Sequence, residues 1–138
     1  MAPRMDLIGL AVADMGRSLA FYRRLGLDIP ASADTEQHVE VTLPGGLRMA
    51  FDTFDVIRSF YPGWTPPPSD GSAGGSSLAF ACDSPAEVDA VYAELTKAGY
   101  HGELTPWDAF WGQRYAVLHD PDGNGVDLFA ANPTPPAG

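Results

Sequence analysis

Residues 12–27 read VADMGRSLAFYRRLGL, and this stretch is the strongest indication of the fold in the sequence. The apolar run Leu7–Ala13 leads into it and ends at Asp14, as a buried strand ends at a polar residue. From there, apolar side chains recur at the spacing of one helix face: Met15, Leu19, Tyr22 and Leu25. Gly26 follows the last of them, and glycine at this position commonly ends a helix. The stretch therefore predicts a strand and then a helix.

The second half of the chain repeats this order. The apolar run Leu78–Cys82 ends at Asp83. Ser84 to Glu87 reads SPAE, a capping box with proline at the first helical position. An apolar stripe at helical spacing comes next: Val88, Val91, Tyr92 and Leu95. Gly99 closes the stripe, so a second strand and helix are predicted.

After each predicted helix the side chains alternate between apolar and polar, which is typical of strands. In the first half, His38–Leu43 and Leu47–Thr53 flank the turn residues PGG. In the second half, Arg114–His119 and Val126–Ala130 flank DPDGNG. Because Gly, Pro, Asn and Asp favour turns, each pair is predicted to form a hairpin.

The short segments Asp28–Pro30 and Gly102–Leu104 are interpreted as one further strand in each half. The predicted fold class is therefore α+β, with two βαβββ modules in one structural domain. A Pro- and Gly-rich loop joins the modules, and a flexible tail follows the second. The predicted bounds are 1–61 for the first module, 62–75 for the loop, 76–132 for the second module and 133–138 for the tail.

The composition excludes several classes of function. The chain has 138 residues, with 18 Asp and Glu against 8 Lys and Arg, for a net charge of −10. Such a charge repels nucleic-acid phosphates and anionic membranes and attracts cationic ligands. The single cysteine, Cys82, cannot form an internal disulfide, and the sequence contains neither a signal peptide nor a long apolar run. We therefore expect a cytoplasmic, acidic protein with no nucleic-acid or membrane partner.

Three stretches resemble one known superfamily: VADMGRSLAFYRRLGL (residues 12–27), SLAFACDSPAEVDAVYAELTKAG (residues 77–99) and WGQRYAVLHDPDGNGVDLF (residues 111–129). They are similar to the vicinal oxygen chelate proteins, which include glyoxalase I, extradiol dioxygenases, and bleomycin- and fosfomycin-resistance proteins. The resemblance covers most of the chain outside the loop and the tail. It implies that each module curls a mixed β-sheet into half of a barrel around a cleft, with the helices packed outside.

Enzymes of this superfamily hold a divalent metal at four cleft-facing strand positions, usually with His, Gln and Glu. By the resemblance, these positions are Leu7, Ala50, Ser77 and Asp127 in this chain. Leucine and alanine have no donor atom, a neutral serine hydroxyl is a poor ligand, and such an ion needs about three protein donors. The histidines show no ligand spacing and lie outside these positions: His38, His101 and His119. We therefore expect no bound metal and no cofactor.

Aromatic side chains are dense in two loop-like parts of the sequence, and flat rings stack on planar or cationic ligands. The predicted ring contacts to a ligand are Phe54, Phe60, Tyr61, Trp64, Trp107, Phe110 and Trp111. Arg114 joins them because WGQR resembles a pattern of bleomycin-resistance-type proteins. Asp127, Ser77 and Asp52 are predicted to supply polar contacts to the same ligand.

Each of these residues also has a structural interpretation. Several of the rings would close the ends of the barrel, Arg114 would form an ion pair, and most acidic residues would be solvated surface. A partly buried Asp127 would need a hydrogen-bond donor or a cationic partner. Cys82 is interpreted as a small core residue rather than a nucleophile.

The predicted function is capture, without catalysis, of an antibiotic of the bleomycin type or another cationic, partly aromatic natural product. The first alternative is an enzyme of the same fold: a metal-dependent lyase, isomerase or dioxygenase, or a metal-free enzyme with Asp127 as general base. The second is a regulatory or scaffold protein with a vestigial cleft. The resemblance further implies a homodimer, in which residues 62–75 would be the hinge if modules were exchanged.

Overall fold

The structure, a computed structural model, describes residues 2–134. The chain forms two compact units, Met1–Pro67 and Pro68–Gly138, and the division falls inside the loop predicted at residues 62–75. Residues 61–76 form neither helix nor strand. The predicted flexible tail, residues 133–138, lies outside the described residues from residue 135 onward. The bounds given above for the two modules stay a prediction.

The first unit is a mixed three-stranded sheet with helices. In chain order, its elements within residues 2–67 are β1 (Leu7–Val12), α1 (Met15–Arg24), a 3₁₀ helix (Ala31–Thr35), β2 (His38–Thr42), β3 (Arg48–Thr53) and α2 (Phe54–Phe60). The strand order is β1-β3-β2, with β1 parallel and β2 antiparallel to β3. The predicted first strand, first helix and first hairpin are confirmed.

The helix predicted from residues 12–27 is α1. The Asp14 carboxylate accepts a hydrogen bond from the backbone N–H of Arg17 at 2.8 Å, which caps the first turn. At the other end Gly26 has a φ of 95°, a backbone conformation that favours glycine. The apolar face of α1 is buried with the helix-side residues of the sheet: Val12, Met15, Leu19, Phe21, Tyr22, Met49 and Phe51. The predicted apolar stripe therefore forms the core of this unit.

The strand predicted at Asp28–Pro30 is wrong. The Arg23 guanidinium donates hydrogen bonds to the carbonyl oxygens of Ile29 and Pro30, both at 2.8 Å, and a strand ladder would need such acceptors. Pro30 also has no N–H to donate. The chain instead enters the 3₁₀ helix, so the described part of the first unit has three strands and not four.

The residues directly after β3 form a helix where a loop was expected from their aromatic content. Thr53 Oγ1 accepts a hydrogen bond from the backbone N–H of Val56 at 3.4 Å, and α2 begins at the next residue, Phe54. With only seven residues, α2 is too short to give a recognisable helical period. Phe60 is therefore the last residue of a helix, whereas Tyr61 and Trp64 lie beyond it.

The second unit is a mixed four-stranded sheet with one α-helix among residues 68–134. Its elements are β4 (Ser77–Ala81), α3 (Pro85–Lys97), β5 (Gly102–Asp108), β6 (Gln113–His119) and β7 (Gly125–Ala131). The strand order is β4-β7-β6-β5; β4 is parallel to β7 and the other pairs are antiparallel. This is the predicted βαβββ module. The strand predicted at Gly102–Leu104 extends to Asp108, so Trp107 lies in a strand and not in a loop.

The capping box predicted at the start of α3 is confirmed. Ser84 Oγ accepts a hydrogen bond from the backbone N–H of Glu87 at 3.1 Å, and Pro85 occupies the first turn. The apolar face of α3 is buried against one face of the sheet: Val88, Leu95, Ala116, Leu118, Val126, Leu128 and Ala130. The helix therefore covers one face of the sheet. The opposite face carries a different set of side chains, which α3 does not cover.

None of the helices in the described part of the chain has the length and apolar character needed to cross a membrane. The longest, α3, has 13 residues, whereas a span takes about 20 apolar residues.

Candidate ligand-binding site

The sheet of the second unit has a face turned away from α3 that is rich in aromatic and polar side chains. Because side chains alternate along a strand, the members of this face follow from the ladder. Tyr115 is paired with both Trp107 and Phe129, and Asp127 lies two residues before Phe129 on the same strand. We call the following set the aromatic face, including two residues of the adjoining turn: Ser77, Trp107, Phe110, Trp111, Tyr115, Asp127 and Phe129.

Asp127 brings a carboxylate to the aromatic face, and its Oδ2 accepts two side-chain hydrogen bonds. Ser77 Oγ donates one from 3.3 Å, and the Tyr115 hydroxyl donates a shorter one. Burial, and then the hydrogen bond to Asp127, raise the pKa of Tyr115 to about 12, so the phenol remains a donor at neutral pH. The carboxylate therefore has the donors that a partly buried Asp127 needs.

The rings of the aromatic face contact one another, mostly edge to face. The centroid of the Tyr115 ring lies 5.5 Å from that of Trp107 and 5.3 Å from that of Trp111. Phe110 lies 5.0 Å from Trp111, and Phe129 lies 6.4 Å from Tyr115. Phe110 is 97% exposed and Trp111 is 49% exposed. Rings that only closed a core would be more deeply buried, so this cluster keeps ring surface exposed.

The turn between β5 and β6 carries the two most exposed rings of the aromatic face, those of Phe110 and Trp111. The backbone N–H of Ala109 donates to the carbonyl of Gln113 at 2.8 Å, and that of Gly112 donates to the carbonyl of Ala109 at 3.1 Å. Gly112 has a φ of 89°, which favours glycine at this point. The indole N–H of Trp111 donates to Gln113 Oε1 at 2.9 Å. The Trp111 ring is thus held in place although it is half-exposed.

Arg114 lies on the α3-covered face of the same sheet. Its Nε donates to Asp89 Oδ1 of α3 at 2.9 Å, and its Nη1 lies 3.3 Å from Asp108 Oδ1. Its partner across the ladder is the buried Ala130. The structure therefore places Arg114 in an ion pair and away from the aromatic face.

Asp52 lies in the first unit, on the sheet face turned away from α1. Leu7 and Ala50 share that face. Asp52 is hydrogen-bonded to one ring nitrogen of His38, and the other ring nitrogen lies 2.8 Å from Glu40 Oε2. The hydrogen bonds to Glu40 and then to Asp52 raise the pKa of His38. Asp52 therefore has a hydrogen-bond partner within its own unit.

The other aromatic residues predicted as ligand contacts also belong to the first unit. The Phe54 and Trp64 rings lie 5.4 Å apart, and the Arg58 guanidinium carbon lies 5.9 Å from each centroid. The ring faces therefore already contact a cation of the protein. Phe60 is 67% exposed and Tyr61 is 58% exposed.

Cys82 is half-buried beyond the end of β4. Burial, with smaller contributions from Glu87 and Asp83, raises the pKa of its thiol to about 11. A thiol that stays protonated at neutral pH is a weak nucleophile. This agrees with the interpretation of Cys82 as a structural residue.

Each unit thus packs a helix against one face of a mixed sheet and presents the other face to different side chains, which is the architecture of the glyoxalase/bleomycin-resistance fold class. The chain belongs to the Glyoxalase/Bleomycin resistance protein/Dioxygenase superfamily, whose family profile matches residues 4–128. The resemblance carried by the three sequence stretches is therefore confirmed. No curated protein sequence matches the chain.

Solved structures share this fold over nearly the whole chain. A glyoxalase-related enzyme from Fulvimarina pelagi is similar with a TM-score of 0.76 at 18% identity, over 93% of this chain and 88% of its own. A glyoxalase/bleomycin resistance protein/dioxygenase family enzyme from Burkholderia phytofirmans PsJN has a TM-score of 0.73 at 18% identity, over 92% and 98%. A glyoxalase/bleomycin resistance protein/dioxygenase from Nocardioides has a TM-score of 0.68 at 24% identity, over 100% and 90%. At these identities the likeness is one of fold.

The residues at the four metal positions implied by the resemblance do not fit a divalent ion. In the first unit, Leu7 and Ala50 offer only hydrocarbon. In the second unit, Ser77 and Tyr115 both direct their hydroxyl hydrogens to Asp127. One carboxylate and one hydroxyl fall short of the about three donors that such a site requires.

The sequence predictions did not include Tyr115, which holds Asp127, or Phe129. A signal for both was present in the predicted hairpin around DPDGNG. Tyr115 faces Phe129 across that hairpin, and alternation sets Phe129 and Asp127 on one face. An aromatic residue in each strand, on the face of the predicted carboxylate, is the pattern that identifies them.

Proposed function

We propose that this chain captures a cationic, partly aromatic small molecule, such as an antibiotic of the bleomycin type, on the aromatic face without changing it chemically. The proposal needs no metal ion at the four positions discussed above. The observation that carries it is the cluster of partly exposed rings beside the Asp127 carboxylate. Membership in a superfamily that binds small molecules supports the ligand class.

The rings supply apolar and electrostatic attraction together. A planar ligand that covers the exposed part of Trp111 buries apolar surface, worth about 25 cal/mol per Å². A ligand cation over an indole or phenol face gains about 0.5–2 kcal/mol. A micromolar Kd corresponds to about 8 kcal/mol, so several rings must act on one ligand. The Trp107–Trp111–Tyr115 cluster provides them in one place.

Asp127 supplies the charge that selects a cationic ligand. Both of its hydrogen bonds fall on Oδ2, and we assign Oδ1 to an ammonium or guanidinium group of the ligand. The net charge of −10 favours the encounter with such a ligand. The ion pairs of Arg114 tie β6 to α3 and to the end of β5, so Arg114 supports the ring cluster from the opposite face.

The remaining predicted contacts belong to the same proposal. In the first unit, the exposed rings of Phe60 and Tyr61, the Phe54–Trp64 pair and Asp52 are proposed as ligand contacts of that unit by itself. A homodimer, as implied by the likeness to bleomycin-resistance-type proteins, and a cytoplasmic location, as expected from the single cysteine, complete the proposal. Light scattering on the purified protein tests the dimer, which should have twice the mass of one chain.

Titration of the EDTA-treated protein with metal-free bleomycin tests the capture. We expect saturable quenching of tryptophan fluorescence and a higher thermal midpoint, because a ligand that binds only the folded state stabilises it. Trp111→Ala and Asp127→Asn should each weaken binding about tenfold or more, as central contacts in an interface do. Asp28→Asn is the matched control, since it removes the same charge at an exposed residue outside the proposed contacts and should leave the Kd unchanged.

Two results would contradict the proposal. One is a Kd that neither Trp111→Ala nor Asp127→Asn changes, or no saturable quenching at all. The other is a chemically altered antibiotic, detected by mass spectrometry after incubation with the protein, which would indicate an enzyme with Asp127 as a general base. Trp111→Phe keeps a ring and should restore part of the affinity lost in Trp111→Ala.

A further inference from the structure

Three metal-ligating side chains converge where β5 begins and β6 ends. His101 Nε2 lies 2.7 Å from Glu103 Oε2, and His119 Nε2 lies 3.7 Å from the same oxygen. The two imidazole rings lie 4.9 Å apart. One donor atom from each residue falls within 4.8 Å of the other two. Two histidines therefore direct nitrogen atoms at one carboxylate.

Irregular pairing of β5 with β6 brings these residues together. Asp108 faces Arg114, but the register shifts twice toward the start of β5, so that Gly102 faces Leu118. An unbroken ladder would instead place His101 opposite Pro121. The first shift lies next to Pro106, which has no N–H to donate to the ladder. A hydrogen bond of 3.0 Å from the His119 N–H to the His101 carbonyl fixes the final register.

His119 is held in position from its other side as well. Gly71 has a φ of 80° and lies against the imidazole, so closely that a Cβ there would be 2.7 Å from Nδ1. Only a glycine allows that approach. Gly123, in the turn after β6, packs against Ser69 in the same way, with a Cβ position 2.5 Å from the Ser69 carbonyl oxygen. The His119 side chain is 15% exposed, so one ligand of the cluster is ordered in advance.

We propose that His101, Glu103 and His119 bind a divalent transition-metal ion, with Zn²⁺ as the representative. Two imidazole nitrogens and one carboxylate oxygen form a donor set that suits zinc and its neighbours, whereas Mg²⁺ and Ca²⁺ prefer oxygen donors. Donors bound tetrahedrally to zinc at about 2.0–2.2 Å lie roughly 3.3–3.5 Å from one another. The separations of 2.7 and 3.7 Å bracket that value, so small side-chain movements complete the site.

This site differs from the four positions at which the superfamily holds its metal. It uses none of Leu7, Ala50, Ser77 and Asp127. Asp127 belongs to β7, on one side of β6, whereas His101 and Glu103 belong to the β5 side. A metal ion here would join the start of β5 to the end of β6.

The proposal is tested by titrating the tag-free full chain with Zn²⁺ at neutral pH and measuring the heat of binding by calorimetry. The protein is treated with EDTA beforehand. We expect one zinc ion per chain and no heat from Mg²⁺. His101→Gln and His119→Gln should each lower zinc affinity at least about tenfold. Even the loss of a residue that only hydrogen-bonds to a metal ligand lowers metal affinity by about that factor. Co²⁺ should give visible absorption bands that both variants lose, which reports coordination directly.

His38→Gln is the matched control. His38 is also an exposed histidine between two acidic side chains, Asp52 and Glu40, but has no second histidine beside it. This variant should bind zinc as the parent does. Because His101 is exposed, His101→Gln is expected to fold even if His119→Gln does not.

Zinc binding that survives both His101→Gln and His119→Gln, or that is lost in His38→Gln, would overturn the proposal, as would no binding at all. Asp127→Asn should leave zinc affinity unchanged. The metal site and the capture of an antibiotic therefore fail or succeed independently.

Discussion

The two units of this protein both begin with a strand and a helix, but their sheets carry different chemistry on the faces that these helices leave uncovered. In each unit the first strand is parallel to the last strand, and a helix covers one apolar face. In the first unit the other face is charged, with His38, Glu40, Arg48 and Asp52 paired among themselves. In the second unit the corresponding face is aromatic and surrounds one carboxylate, Asp127.

The difference teaches which part of each sheet specifies the fold and which part is available for function. On the charged face, Arg48 binds Glu40 and Asp6, and His38 binds Glu40 and Asp52, so each of these two basic side chains has two acidic partners. The side chains of the charged face therefore supply one another with ion-pair and hydrogen-bond partners. On the aromatic face the hydrogen bonds orient Asp127 but leave ring surface exposed. The aromatic face therefore keeps exposed ring surface, whereas the charged side chains of the first unit are paired with one another.

The largest expected effect concerns what the two units have in common, the apolar face beneath a helix. Phe51 is fully buried and its ring lies 5.3 Å from that of Tyr22. Phe51→Ala should lower the free energy of unfolding by about 3–5 kcal/mol, because it removes a large ring from a packed core. Urea denaturation measures this. Phe60→Ala makes the same substitution at an exposed ring and should change it by less than about 0.5 kcal/mol; equal losses in the two variants would contradict the assignment of the core.

The elements that the sequence predicted correctly are those with a local signal. Asp14 and Ser84 are caps, Gly26 and Gly99 are stops, and the alternation around PGG and DPDGNG marks two hairpins. These signals reflect hydrogen bonds and backbone angles within a few residues, so they need no knowledge of the rest of the fold.

The features that were missed depend on contacts between distant parts of the chain or on very short elements. Asp28–Pro30 is kept out of a strand by Arg23, and α2 is too short to show a period. The cluster of His101 and His119 depends on two register shifts that local pairing rules do not include. The expectation of no metal at the four superfamily positions rests on residue type alone at Leu7 and Ala50, which no geometry can turn into ligands, and it stays a prediction.

A smaller effect should separate the aromatic face from the charged one. Tyr115→Phe removes the hydroxyl that donates to Asp127 and should lower the free energy of unfolding by about 1 kcal/mol at neutral pH. Burial raises the pKa of Tyr115 to about 12 in the folded state, so this contribution is complete below the ordinary tyrosine value of about 10. It is lost as the pH rises through about 12. The gap between parent and variant should therefore narrow above pH 10.

Urea denaturation at neutral pH and again near pH 11 measures that gap. Tyr61→Phe is the control, because Tyr61 is exposed and the loss of its hydroxyl should be nearly neutral. A gap that widens at high pH would show that the Tyr115 hydroxyl is not the donor to Asp127.

The smallest expected effect tests the charged face through His38. Hydrogen bonds to Glu40 and then Asp52 raise the pKa of His38 in the folded state. A raised pKa means that the protonated imidazole stabilises the fold fully below its ordinary value of about 6.5, and that this contribution disappears as the pH rises through the folded-state value. Because His38 is half-exposed and solvent screens its partners, the contribution is a few tenths of a kcal/mol, about the value of a surface ion pair.

His38→Gln should therefore lower the free energy of unfolding slightly at pH 5.5 and leave it unchanged at pH 8.5. Parallel urea denaturation of parent and variant at both values is the measurement. Asp52→Asn changes one of the two hydrogen-bond partners of His38. Like His38→Gln, it should reduce the pH dependence of the free energy of unfolding. If His38→Gln lowered the free energy of unfolding more at pH 8.5 than at pH 5.5, His38 would act as a neutral hydrogen-bond partner. The first unit would then rely on neutral hydrogen bonds, as Tyr115 does on the aromatic face, and not on ion pairs of His38.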